Sequence, residues 1–209
     1  SEKPVFITSD SAEFDHNTET ANYTGNARGW QDANYVRGNR IYLDQRAGKL
    51  LAEGSVQTAL YNARIRQKGK ETNVPTYAAA ATMTYERDKR LLQYRTAVDI
   101  RQGTDRITAG AADVYLDEKN ELSRTVAESN VVITQPNRKA TGDWAEYAAG
   151  EETAVLRGSP ATVSDAESGS SQSPQLTFYM RENRVVSAQQ PKQTTPGRSR
   201  SVYKVKPNP

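Results

Sequence analysis

One short phrase keeps returning along this chain, and its recurrence limits the possible folds more than any single residue does. A strand-like triplet ends at a polar residue, a turn follows, and an apolar segment then climbs to a pair of small residues. The clearest copies are Ala12-Glu13-Phe14-Asp15 leading to Thr24-Gly25-Asn26, Ile41-Tyr42-Leu43-Asp44 leading to Gly54-Ser55, Met83-Thr84-Tyr85-Glu86 leading to Tyr94-Arg95-Thr96, and Val114-Tyr115-Leu116-Asp117 leading to Ser129-Asn130. Worn copies begin at Ala145-Glu146-Tyr147-Ala148 and at Thr177-Phe178-Tyr179-Met180. The spacing is about thirty residues, with one longer interval where a polar segment, Gln67 to Thr76, intrudes as a long hairpin loop. A repeat of that length with strand chemistry means one supersecondary unit stacked on copies of itself.

Val, Ile, Thr and Tyr alternate with charged residues over most of the chain, the period of a half-buried strand. No segment carries a capped amphipathic helix; Ala78 to Ala81 is helical by propensity, but the repeat makes it a strand. The first and third residues of each triplet share a sheet face. Phe14, Ile41, Leu43, Met83, Tyr85, Val114, Leu116 and Tyr147 are therefore expected to line one continuous apolar interior. The expected fold is all-β, an elongated antiparallel stack with an apolar channel along its length.

Composition agrees with a thin, long core: only 35% of the 209 residues are apolar, and the mean hydropathy is −0.82. There is no run of about 18 apolar residues to cross a membrane as a helix. The net charge of +3 is a property of the end of the chain, where Lys192, Arg198, Arg200, Lys204 and Lys206 stand without an acid. Without a basic stripe on the folded body, nucleic acid is not an expected partner. Residues 1–188 are expected to form one domain, and residues 189–209 a basic, largely disordered tail in which Ser201 to Val205 has strand character. Ser164 to Gln175 is expected to be a flexible loop from its Ser and Gly content.

Catalytic and metal chemistry is not indicated. Cys is absent, and the single His16 lies in a polar turn, so neither a metal site nor any other cofactor is expected. Asp15, Asp44, Glu86 and Asp117 occupy one place in every copy, as turn residues do, and no enzyme activity is expected. Trp144 is expected in the core. Exposed Tyr42, Tyr115, Trp30 and Tyr35 leave a second reading open, a polysaccharide-binding or scaffold β-repeat of the cell envelope.

The opening Pro4-Val5-Phe6-Ile7-Thr8-Ser9-Asp10, Asp15 and Thr24-Gly25-Asn26-Ala27, together with Ile41 to Val56, resemble the LptA/OstA family of periplasmic lipopolysaccharide-transport proteins. The resemblance spans roughly residues 4–188; the third and fourth copies depart from the family's usual Thr-Gly-Asn. It implies an OstA-like β-jellyroll, a periplasmic location, an interior that shelters acyl chains, lipopolysaccharide and other Lpt-type envelope proteins as partners, and head-to-tail homo-oligomers that bridge the two membranes in outer membrane biogenesis. Val5, Phe6 and Ile7 at one end, and Phe178 and Val185 at the other, are the expected edge-strand contacts, because a terminal strand leaves backbone groups unpaired.

Overall fold

The computed structural model describes residues 4–61, 64–67, 70–167, 169–180, 182, 184–188 and 200–203. The polypeptide zigzags through ten long antiparallel strands: β3 (Thr20–Gln31), β4 (Asn34–Asp44), β5 (Lys49–Leu60), β8 (Thr76–Glu86), β9 (Leu91–Gln102), β10 (Asp105–Leu116), β11 (Leu122–Gln135), β12 (Arg138–Ala148), β13 (Thr153–Asp165) and β14 (Gly169–Tyr179). Each pairs with the next in this order within one 14-stranded sheet. The first edge is split between β1 (Phe6–Thr8) and β2 (Ser11–Asp15), both on β3. The last edge is split between β15 (Arg184–Ala188) and β16 (Arg200–Tyr203), both on β14. The intruding segment forms its own hairpin, β6 (Arg64–Gln67) with β7 (Lys70–Asn73).

The repeating phrase is a hairpin. Its acidic residue closes the turn: Asp15 accepts from the Asn17 backbone N–H at 2.8 Å, Asp44 from Ala47 at 2.8 Å, and Asp117 from Lys119 and Glu121 at 2.8 and 2.9 Å. These are side-chain turn caps. Glu86, too long for that geometry, meets Lys89 at 2.8 Å instead.

The small-residue pairs are corners. Gly25-Asn26 in β3, Gly54-Ser55 in β5, Thr96-Ala97 in β9 and Ser129-Asn130 in β11 all hold two consecutive residues at positive φ. Each coincides with a break in register, in which one strand carries an extra residue. Such bulges bend a strand sharply. Stacked in line, they fold the sheet along its length into two facing walls, the turns Asp15, Asp44, Glu86 and Asp117 lying on the rim of one. Partner strands pass the corner through small residues: a Cβ on Gly142 would lie 2.6 Å from the Arg157 carbonyl oxygen.

The core follows that wedge. Ala27, Ala52, Ala112, Ala127, Val131 and Ala161 are almost fully buried near the seam, where the walls converge, and they alternate across the strands with larger buried residues such as Ile41, Met83, Tyr94 and Leu156. Larger residues, among them Leu43, Leu50, Tyr85, Leu116 and Leu122, pack farther out toward the rims. Two clusters of buried residues succeed one another along the stack, with Ile107 touching both.

Two sequence expectations are corrected here. Ser164 to Gln175 is no open loop: it belongs largely to the β13–β14 hairpin, with Ser164 opposite Ser170 and Ser173 opposite Ala161. Ser173 is fully buried, because a small side chain suits the seam and the ladder supplies its backbone partners. Trp144 lies half-buried on the outer face, with the Arg157 guanidinium 4.5 Å above its ring. Of the expected tail, residues 189–199 and 204–209 lie outside the described residues, and Arg200–Tyr203 form β16.

Candidate functional site

Between the walls runs a cleft of about 1280 Å³. Its floor and sides are apolar and come from both halves of the strands. Leu43, Leu50, Met83, Tyr85, Leu92, Val114, Leu116, Tyr147 and Phe178 supply one wall, and Val36, Leu60, Ile100, Ile107, Ile133 and Ala140 the other. It extends from Val5 and Ile7 beside the first edge to Phe178 and Met180 near the last. Polar groups occupy the two rims: Asp44, Gln45, Lys49, Arg87, Asp88, Arg90, Glu118 and Asn120 on one, and Gln31, Asp32, Gln102, Asp105, Gln135 and Arg138 on the other.

Pairing register shows how the sequence builds this lining. Ala21, Leu43, Leu50, Tyr85, Leu92, Val114, Thr125, Tyr147, Ala154 and Phe178 are directly opposite one another from strand to strand, forming a single row. Directly opposed residues share a face. The facing row is Gly29, Val36, Thr58, Ala78, Ile100, Ile107, Ile133, Ala140 and Val163.

Six of the eight expected interior residues line the cleft: Leu43, Met83, Tyr85, Val114, Leu116 and Tyr147. Burial pushes the Tyr147 phenol above its ordinary pKa, and the carboxylates of Glu152 and Asp105 add to the shift. Ile41 is fully buried in the core rather than at the cleft surface. Phe14 departs further. It opposes Ala21 and so belongs to the inner row, but among the described residues no further strand lies beyond β2; Phe14 is 57% exposed, and its ring meets the edge of Tyr23.

The edge residues divide similarly. Val5 and Phe6 are exposed at the first edge, and Phe6 stacks on Trp30 at 5.9 Å. Ile7 is half-buried on β1, and Val185 is half-buried on β15. Phe178 is not an edge residue: β14 pairs on both sides, placing it between Ala154 and Val185 and leaving it 4% exposed. The opposing wall went unidentified in the sequence. Its signal is the alternation that resumes after each small pair, as in Val56, Thr58, Leu60 and in Val131, Ile133.

The outer face carries charge. Arg40 bridges to Glu53 at 3.0 Å and Arg95 to Asp113 at 2.6 Å, while Arg124 pairs with Glu146. Arg40 and Arg124 also lie over the rings of Tyr42 and Tyr115, at 5.6 and 5.1 Å, so a guanidinium occupies one face of each ring. Among the described residues there is no cluster of three or more potential metal ligands, and no helix long and apolar enough to cross a membrane.

A family model described as LptA/(LptD N-terminal domain) LPS transport protein matches twice, over residues 6–96 and 89–184. The chain belongs to this family. A solved structure similar to it is LptH of Pseudomonas aeruginosa, described as the LptA-homologous periplasmic component of the lipopolysaccharide transport device. It is 12% identical, with 97% of this chain and 96% of that chain covered and a TM-score of 0.45. No curated protein sequence matches.

Proposed function

We propose that this LptA-like chain is a periplasmic lipopolysaccharide carrier that shelters acyl chains in the cleft and joins end to end with further copies or with other Lpt-type envelope proteins. The observation that carries the reading is the cleft itself, apolar within and polar at both rims, and larger than the roughly 300–1,000 Å³ of ordinary small-molecule sites. Each methylene moved from water into such a cleft contributes about 0.8 kcal/mol, which favours long hydrocarbon chains without any specific contact. A polar head then stays at the rim, in water. No bond is made or broken, so the chain acts by partition and not by catalysis.

The two edges support the assembly half of the reading. Each is a split strand with no neighbour on its outer side among the described residues, and the first also exposes Val5, Phe6 and Phe14. A first edge meeting a last edge would continue both walls and align the clefts, a heterologous contact that propagates as a filament.

A photo-crosslinking residue at Leu43 or Leu116, in cells making lipopolysaccharide, tests the carrier function, with Tyr42 on the outer face as the control. Adducts are expected from the two cleft positions. Equal labelling at Tyr42, or none anywhere, would defeat the proposal.

A further inference from the structure

We infer that the β4–β5 and β8–β9 turns form a phosphate-recognition station at the mouth of the cleft, with Arg87 and Arg90 gripping a phosphomonoester on the head of the acylated lipid held below. This rests on the carrier reading and adds to it a place and a chemistry for the head group.

Charge along that rim is uneven. The turn after β2 carries Asp15 and Glu19; the turn after β10 carries Asp117, Glu118 and Glu121 against Lys119; the turn after β12 carries Glu151 and Glu152. Between these acidic stretches, the two adjacent turns hold Arg46, Lys49, Arg87, Lys89 and Arg90 against Asp44, Glu86 and Asp88, and so carry a net positive charge. Lys49, Arg87 and Arg90 line the mouth of the cleft.

Two of these cations form no ion pair among the described residues. Arg46 is paired with Glu19, and Lys49 and Lys89 both lean on Glu86. Arg87 donates through Nη2 to the Gln45 carbonyl oxygen at 3.2 Å, and neither Arg87 nor Arg90 has a carboxylate partner among the described residues. The outer-face arginines Arg40, Arg95 and Arg124 each have one. Arg87 is also seated: its Nε would lie 3.1 Å from a Cβ on Gly48, so the guanidinium packs close against the β4–β5 turn, where Gly48 sits at φ +61°. A positioned guanidinium with free N–H groups suits a phosphate, which accepts two parallel charge-assisted hydrogen bonds. Acyl chains lodged between Leu50, Tyr85 and Leu92 would bring a head group to this height.

The test compares diphosphoryl lipid A with the same lipid after phosphatase treatment, bound to the full chain, to R87Q/R90Q, and to R28Q/R37Q as a control that removes equal charge from exposed positions outside the cleft lining. The wild-type protein and the control are expected to hold the phosphorylated lipid about tenfold tighter or more, the effect of one or two charge-assisted hydrogen bonds. R87Q/R90Q is expected to lose that preference while keeping wild-type affinity for the dephosphorylated lipid. A preserved preference in R87Q/R90Q would overturn the station and leave the carrier reading intact. Equal weakening for both lipids would overturn it too, as a structural effect. Failure of the wild-type protein to bind either lipid would bring down both.

Discussion

Tyr94 and Thr58 tie the two walls together: the phenol oxygen of Tyr94, before the β9 corner, lies 2.8 Å from the hydroxyl of Thr58, beyond the β5 corner, and both residues are buried. Their separation of 36 residues makes this a tertiary bond inside a repeat that is otherwise held by neighbouring strands. Removing one partner strands the other. Tyr94→Phe and Thr58→Val are each expected to cost about 1–3 kcal/mol, and the double variant less than their sum. Denaturant titration of the four proteins measures the coupling.

Burial pushes the Tyr94 phenol up to about 12, with the Thr58 bond opposing the rise. The unfolded chain ionises near 10, so between about pH 10 and 12 it releases a proton that the folded chain retains. Stability is therefore expected to fall across that window, and Tyr94→Phe to lose this part of the alkaline dependence. Thermal melts from pH 8 to 11.5 decide it.

Asp99 gives the acid counterpart. Its carboxylate is hydrogen-bonded by Arg101 at 2.7 Å and also by Arg106, which hold it down at about 2 against partial burial. A depressed carboxylate stabilises the fold above its unfolded value near 3.8, and that contribution is lost as the pH falls toward 2. Asp99→Asn should lower the melting temperature at pH 7 and match the wild-type protein at pH 2. The effect is expected to be small, about 1 kcal/mol or less, because the site is near solvent.

The corners carry backbone strain. Thr96 sits at φ +66°, where a β-branched residue is disfavoured. Thr96→Gly is expected to stabilise the protein by about 1 kcal/mol, whereas Gly142→Ala, driven against the Arg157 carbonyl and Leu156, should destabilise it by about 1–3 kcal/mol. Chemical denaturation of both variants reads the opposite signs.

Phe14→Glu separates assembly from folding. The ring is exposed at the end of the inner row, so the charge should leave the melting temperature nearly unchanged while weakening end-to-end association. Sedimentation over a wide concentration range is the measurement; undiminished association would mean that this edge is not the contact.

The sequence by itself determined the repeat, the all-β class, the turn role of Asp15, Asp44 and Asp117, and the parity that puts Leu43, Tyr85, Val114, Leu116 and Tyr147 on one face, because hydrogen-bonded turns and period-2 alternation are local properties. It did not reveal that the small pairs in β3, β5, β9 and β11 fold the sheet back over itself, since left-handed residues at Thr96-Ala97 have no Gly to announce them. The second wall, the Tyr94–Thr58 bond and the buried place of Ser173 all depend on that bend. Burial at the ends likewise belongs to tertiary structure. Phe14 and Phe178 occupy the same row, but β14 has strands on both sides, whereas among the described residues β2 pairs only with β3, so one ring is buried and the other open.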